Sequence, residues 1–135
     1  MKIEQFLREK ITEGSAGRPV YPVFAPEYQQ LPFVVYQRTG TSRERVLPQS
    51  AGNPIATFMI VVYSSTYTES REIADNIRQK LDNFTGVYGQ EDNTVNVLFS
   101  HVSDESDGEP VQFDGESKPA YSANLLFNIK YEEEC

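Results

Sequence analysis

The sequence of 135 residues lacks tryptophan and has one histidine, His101, and one cysteine, Cys135. A single cysteine excludes an internal disulfide framework and any metal site built from several cysteines. A catalytic histidine needs a nucleophilic or acidic partner in space, and the adjacent Ser100 would point to the opposite face of a strand. The sequence therefore shows no catalytic site, and we expect neither a metal ion nor a cofactor.

Basic residues are also scarce, with 12 Lys and Arg against 20 Asp and Glu and a net charge of −8. Binding to nucleic-acid phosphates needs clustered basic side chains, so nucleic acid is a poor candidate partner. No apolar run approaches the roughly 20 residues of a membrane helix. The charge is uneven, because residues 1–50 carry 7 basic and 5 acidic groups while residues 51–135 carry 5 and 15. Such an asymmetric molecule could meet copies of itself or other proteins through oppositely charged surfaces.

Two segments have apolar residues at helical spacing and are predicted helices, residues 2–13 and 67–83. Thr66 and Glu69 have the spacing of a capping box at the start of the second helix. Five segments have the composition and alternation of strands, namely residues 20–24, 32–39, 55–64, 94–102 and 121–131.

The element order α-β-β-β-α-β-β predicts an α+β fold. We expect a mostly antiparallel sheet of about four to five strands with two helices packed on one face. Since no composition shift or linker divides the chain, residues 1–135 are predicted to form a single domain.

Two long loops are predicted within this domain, residues 40–53 and 103–119. The first is long for a hairpin connection, and its ends could extend the flanking strands into a projecting hairpin. The second is acidic and rich in turn residues. It does not match the spacing of a calcium-binding EF-hand loop, so a solvated acidic loop is expected.

Arg38, Arg43 and Arg45 form the one basic cluster in this acidic chain. Tyr21 and Tyr36 lie near predicted strand ends. Arginine and tyrosine are enriched at protein interfaces, so these five residues are the candidate interface. Ordinary loop charge and packing at the edge of the core would explain the same residues.

Four segments, in order, resemble the tail-completion proteins of long-tailed bacteriophages, also called tail terminators or tail-to-head joining proteins. The segments are VYPVFAP at 20–26, LPFVVYQRTG at 31–40, TFMIVVYSSTYTESREIADNIRQKLDNFTG at 57–86 and YSANLLFNIKYEE at 121–133. Residues 87–119 depart from the family pattern, because the acidic loop is longer and less regular.

The resemblance implies a structural protein of the virion tail or neck and not an enzyme, assembled in the cytoplasm of the bacterial host. Such proteins form a homo-oligomeric ring, commonly of six subunits, that caps the tail tube, stops its growth and joins it to the head connector or a head-completion protein. No catalytic residues carry over, and the arginine cluster would lie at subunit or tube contacts. Two alternatives stay open: another neck component such as a head-completion adaptor, and a small α+β enzyme or ligand-binding domain.

Overall fold

The structure is a computed structural model that describes residues 3–15, 18–22, 32–42, 45–47, 50–51, 54–90, 93–108 and 120–132. Its elements are α1 (Ile3–Gly14), β1 (Val20–Pro22), β2 (Phe33–Ser42), β3 (Arg45–Leu47), β4 (Ser50–Ala51), β5 (Ile55–Ser64), α2 (Tyr67–Leu81), β6 (Gly86–Gln90), β7 (Asn93–Asp107) and β8 (Tyr121–Tyr131).

The main sheet has six strands in the order β1-β2-β5-β8-β7-β6. It is mixed, because β1 runs parallel to β2 while the other neighbours are antiparallel. Strands β3 and β4 form a separate antiparallel pair. The prediction of four to five strands in the order α-β-β-β-α-β-β was therefore wrong, since five strands precede α2 and three follow it.

The missed strands have weak local signals. Strand β6 contains Gly86 and Gly89, whose φ values of 121° and 119° lie in a region that favours glycine. Glycine is depleted in strands, so the segment reads as a turn. Strands β3 and β4 are three and two residues long, too short for an alternating pattern to be recognised.

Both predicted loops are partly strand. Gly40–Ser42 pair with Ile55–Thr57, so the first end of the 40–53 segment continues β2 as expected, whereas β5 begins only at Ile55, after the segment. The prediction that a loop begins at residue 103 was wrong, because β7 continues to Asp107. Its last residues, Asp104–Asp107, pair with Leu126–Ala123 of β8. The long alternating strand β8 supplies pairing partners that override the turn-rich composition. Residues 109–119 of the predicted acidic loop lie outside the described residues.

Helices α1 and α2 share one hydrophobic core with one face of the sheet. Strand β5 shows why the sheet has two different faces: Phe58, Ile60 and Val62 are fully buried towards the helices, whereas Met59 is 41% exposed on the other face. Successive side chains of a strand point to opposite faces, which produces this division. No helix in the described part of the chain is long and apolar enough to cross a membrane.

The start of α2 is a capping box with an additional serine. Thr66 Oγ1 accepts a hydrogen bond from the Glu69 backbone N–H at 3.2 Å, as the sequence predicts. The return bond differs, because the Glu69 carboxylate accepts from the hydroxyl of buried Ser64. The same Ser64 oxygen accepts from the Thr66 backbone N–H at 3.3 Å. Ser64 thereby links the end of β5 to the first turn of α2.

Candidate interaction surfaces

Arg38 lies on the helix side of β2, where its neighbours hold the guanidinium. Nη2 lies 3.4 Å from Glu4 Oε1 of α1, and Nη1 donates to Thr41 Oγ1 at 3.4 Å. The guanidinium carbon lies 5.4 Å from the centroid of the Phe58 ring, a cation–π distance. The side chain is 33% exposed, so Arg38 is both anchored and accessible at the point where β2 leaves the core.

The two candidate tyrosines lie on opposite faces of the sheet. Tyr36 is two residues before Arg38 on the helix side and is buried. Burial is the main cause that raises the pKa of its hydroxyl, with Arg8 opposing this shift and Glu4 adding to it. Tyr21 in β1 is paired with Val35 on the other face, and its ring lies 6.4 Å from that of Phe33. The structure therefore brings Arg38 and Tyr36 together and places Tyr21 apart from them.

The other two candidate arginines are less defined. Arg43 lies outside the described residues, and Arg45 is the first residue of β3, where only the backbone is described. Their place in the candidate interface stays a prediction. The part that the structure defines is the outer edge of β2.

This outer edge of β2 is paired only in its first half. Strand β1 covers Val34–Tyr36. Of the following residues, 37, 38 and 40–42 pair with β5, Thr39 lies at a register shift, and no other described strand pairs with them; Gln37, Thr39, Gly40 and Thr41 are exposed. We call residues 38–42 the β2 edge.

Strand β7, near the other end of the strand order, also has an outer edge that is only partly paired within the described residues. Strand β6 covers it only as far as Val97. Next, the segment after α2 contacts it, because the Asn83 N–H donates to the Ser100 carbonyl at 2.7 Å and the Val102 N–H donates to Asp82 Oδ1 at 3.1 Å. Residues 104–107 pair with β8, Ser103 lies at a register shift, and no other described strand pairs with residues 103–107, all five of which are exposed. We call residues 103–107 the β7 edge.

Two of the three acidic side chains of the β7 edge, Glu105 and Asp107, are bound by two arginines of α2. Arg71 Nη1 lies 2.8 Å from Asp107 Oδ1, and its Nη2 lies 3.5 Å from Glu105 Oε1. Arg78 Nε lies 3.6 Å from the same Glu105 oxygen. The Tyr67 hydroxyl donates to Asp107 Oδ2 at 2.8 Å. We call these five residues the α2–β7 cluster.

The cluster changes the acid–base properties of its members. The hydrogen bond from Arg71 and then that from Tyr67 hold the pKa of Asp107 below its usual range. The same bonds raise the pKa of Tyr67 and of the Arg71 guanidinium. Asp107 is thus fixed as a charged acceptor on the helix side, away from the backbone groups of the β7 edge.

His101 and Ser100 point to opposite faces, as expected for neighbours in a strand. His101 is exposed on the helix-free face, with its ring 5.2 Å from that of Phe99, whereas Ser100 is buried in the core. Across the described ranges, no group of three or more His, Cys, Asp or Glu side chains could hold a metal ion.

Sequence reasoning missed both the β7 edge and the α2–β7 cluster. The sequence SDESD at 103–107 has little strand propensity, and Arg71 and Arg78 read as residues of a solvated helix face. One usable signal was present: β8 alternates over eleven residues, and a strand of that length needs neighbours of comparable length.

Comparison with known proteins shows a likeness of fold and no match in sequence. No protein-family model matches the sequence, and no curated protein matches it. Among solved structures, the chain is similar to a chain from the virion of a native gene transfer agent (GTA) particle, with a TM-score of 0.64 and 12% identity. The match covers 94% of this chain and 92% of that chain, so the likeness extends over the whole fold.

Proposed function

We propose that this protein is a structural component of a tailed, phage-like virion that forms a ring at the head-proximal end of the tail tube. The observation that carries the proposal is the fold shared with a chain of a gene transfer agent virion over 94% of the sequence. The ordered resemblance to tail-completion proteins narrows the role to the end of the tail.

In this role the ring, of six subunits, caps the assembled tube, stops further addition of tube protein and offers its other face to the head connector. The partners are other copies of the chain, the tail-tube protein and the head connector or a head-completion protein. The protein acts by assembly alone, and no covalent bond is made or broken. Assembly takes place in the host cytoplasm before the ring becomes part of the virion.

The chain has features that suit such a ring. A cyclic oligomer uses two different surfaces of each subunit, because each copy meets its neighbour head to tail. The β2 edge and the β7 edge lie on opposite sides of the sheet, and the basic and acidic residues are unevenly divided between the first 50 residues and the rest.

Native mass spectrometry of the purified protein, alone and with the tail-tube protein of the same virion, tests this role. We expect a discrete closed oligomer, formed either by the protein alone or on addition of tube protein, and an arrest of tube growth when the protein is present. A protein that binds the head connector but neither binds tube protein nor stops tube growth would instead be a head-completion adaptor.

A further inference from the structure

We infer that the β7 edge of one copy is a strand-addition site for the β2 edge of a second copy, so that the sheets of neighbouring subunits join. This inference rests on the proposed ring and specifies its subunit interface. It follows from the directions of the unpaired backbone groups, from the shape of the two edges and from their charge.

The backbone of the β7 edge offers donors and acceptors that no described strand pairs with. Gly108 N–H donates to the Ser122 carbonyl of β8 at 3.1 Å. Backbone groups of successive strand residues point alternately to the two sides, so those of Asp107 and Glu105 point away from β8. Among the described strands, none lies beside these two residues on that side, because β6 ends its pairing at Val97.

The same reasoning applies to the β2 edge. Val34 N–H donates outwards to the Pro19 carbonyl at 2.9 Å, so Tyr36 and Arg38 also direct their backbone groups outwards. Strand β1 ends its pairing at Tyr36, and therefore Arg38 is the first residue whose outward groups have no described strand beside them.

The directions and faces of the two edges agree. From β2 across β5 and β8 to β7 each strand is antiparallel to the next, so a second copy that continues the sheet brings its β2 antiparallel to β7. In an antiparallel pair, residues that exchange hydrogen bonds also share a face. Arg38 and Asp107 both point their backbone groups outwards and their side chains to the helix side, so they can form such a pair.

The outlines of the edges also fit. On the outer side of β2, strand β1 lies beside residues 34–36, before the β2 edge begins. On the outer side of β7, strand β6 lies beside residues 93–97, before the β7 edge begins. Within one copy, Val34 of β2 lies at the same height along the strands as Asp107 of β7, according to the residue pairs across β5 and β8. Arg38 lies four residues further along β2 than Val34. Pairing Arg38 with Asp107 therefore displaces the incoming copy by about 13 Å along the strands, so that, among the described strands, β1 of the incoming copy and β6 of the first copy do not overlap the pairing. A constant displacement of this kind is the stagger that a closed sheet requires.

The charges favour this pairing over pairing between two identical edges. An exposed edge is normally protected by charged side chains. In the β7 edge, however, Arg71 and Arg78 hold Glu105 and Asp107 over α2. Those carboxylates then lie on the face where the Arg38 guanidinium of the second copy would arrive, whereas two β7 edges would bring like charges together.

Cysteine cross-linking tests the pairing directly. In a Cys135→Ser background, Gly40→Cys and Ser106→Cys place one thiol on each edge. A Cβ on Gly40 meets no atom within 4 Å, and both Gly40 and Ser106 are exposed. Within one chain the two edges are three strand spacings apart, about 14 Å, which is too far for a disulfide. Any disulfide between these two positions must therefore join two copies.

We expect oxidation at about 1 mM protein, where even an association with a millimolar Kd is substantially populated, to give a ladder of covalent multimers on a denaturing gel. The control combines Gly40→Cys with Glu72→Cys, on the exposed face of α2, and should give at least tenfold less product. A proline at residue 105, introduced as Glu105→Pro, removes one outward donor and should reduce the cross-linked fraction while circular dichroism stays unchanged.

Equal cross-linking in the edge pair and the control would overturn the strand-addition site. Native mass spectrometry of the same samples separates this result from the proposed function. A closed oligomer that does not form the edge disulfide would support the ring and contradict this interface. Edge disulfides in open-ended chains would support the interface and contradict the closed ring.

Discussion

Gly14, the last residue of α1, lies so close to α2 that a Cβ at this position would be 2.7 Å from the Ile77 Cα. The neighbouring atom belongs to the backbone of a helix, so the contact cannot be relieved by a rotamer change. This glycine fixes the approach of the two helices that cover the sheet.

We expect Gly14→Ala to destabilise the protein by about 1–3 kcal/mol, because a methyl group forces the helices apart in a packed core. Gly40→Ala is the matched control, since a Cβ there meets no atom within 4 Å and its cost should stay within about 0.5 kcal/mol. Urea unfolding followed by circular dichroism gives both values. Equal stability of the two variants would mean that the helices do not approach each other as closely as the structure shows.

The sequence predicts those elements whose patterns are local. Strands β5 and β8 alternate over ten and eleven residues, and α2 has both an apolar stripe and a capping threonine. Strand β6 and the acidic end of β7 depend on neighbours distant in sequence, and their own residues favour turns. For the same reason the candidate interface was predicted from residue types, while the unpaired edges emerge only from the order of strands in the sheet.

Two fully buried serines should respond in opposite ways to truncation. Ser64 bonds both Glu69 and the Thr66 N–H, whereas the Ser100 hydroxyl has no hydrogen-bond partner within the described part of the chain. Loss of the Ser64 hydroxyl breaks two bonds at the start of α2, and we expect Ser64→Ala to cost about 1–2 kcal/mol.

Ser100→Ala removes an unsatisfied buried group, and we expect a change between zero and about 1 kcal/mol of added stability. Thermal and urea unfolding of the two alanine variants make the comparison, with each serving as the control for the other. A loss at Ser100 as large as that at Ser64 would show that the Ser100 hydroxyl has a partner after all.

Lys10 of α1 lies over two aromatic rings, with Nζ 4.8 Å from the centroid of Phe84 and 4.7 Å from that of Tyr88. Its side chain is only 14% exposed, so the cation is partly desolvated against the rings. We expect Lys10→Met, which keeps most of the aliphatic stem, to cost about 0.5–1 kcal/mol through loss of the cation–π contacts together with the ion pair of Lys10 Nζ with Glu13 Oε2 at 3.6 Å. Lys80→Met, at an exposed position of α2, controls for the change in net charge and should be near neutral. Chemical unfolding at pH 7 distinguishes the two, and equal small effects would assign no stabilising role to the contacts.

Because of the α2–β7 cluster, the free energy of unfolding should fall as the pH is lowered. Arg71 and Tyr67 lower the pKa of Asp107 in the folded chain, so the ionised form is favoured by folding. The stabilisation is fully present above the unfolded pKa of an aspartate, near 4, and is lost as the pH falls through the lower folded value.

Between pH 7 and pH 2 the wild-type protein should therefore lose more stability than Asp107→Asn, whose side chain does not titrate. Glu72→Gln, which removes an exposed charge of the same sign from α2, should retain the wild-type slope. Urea midpoints measured across this range test the sign, and parallel curves for the wild type and Asp107→Asn would show that the cluster does not stabilise the end of β7.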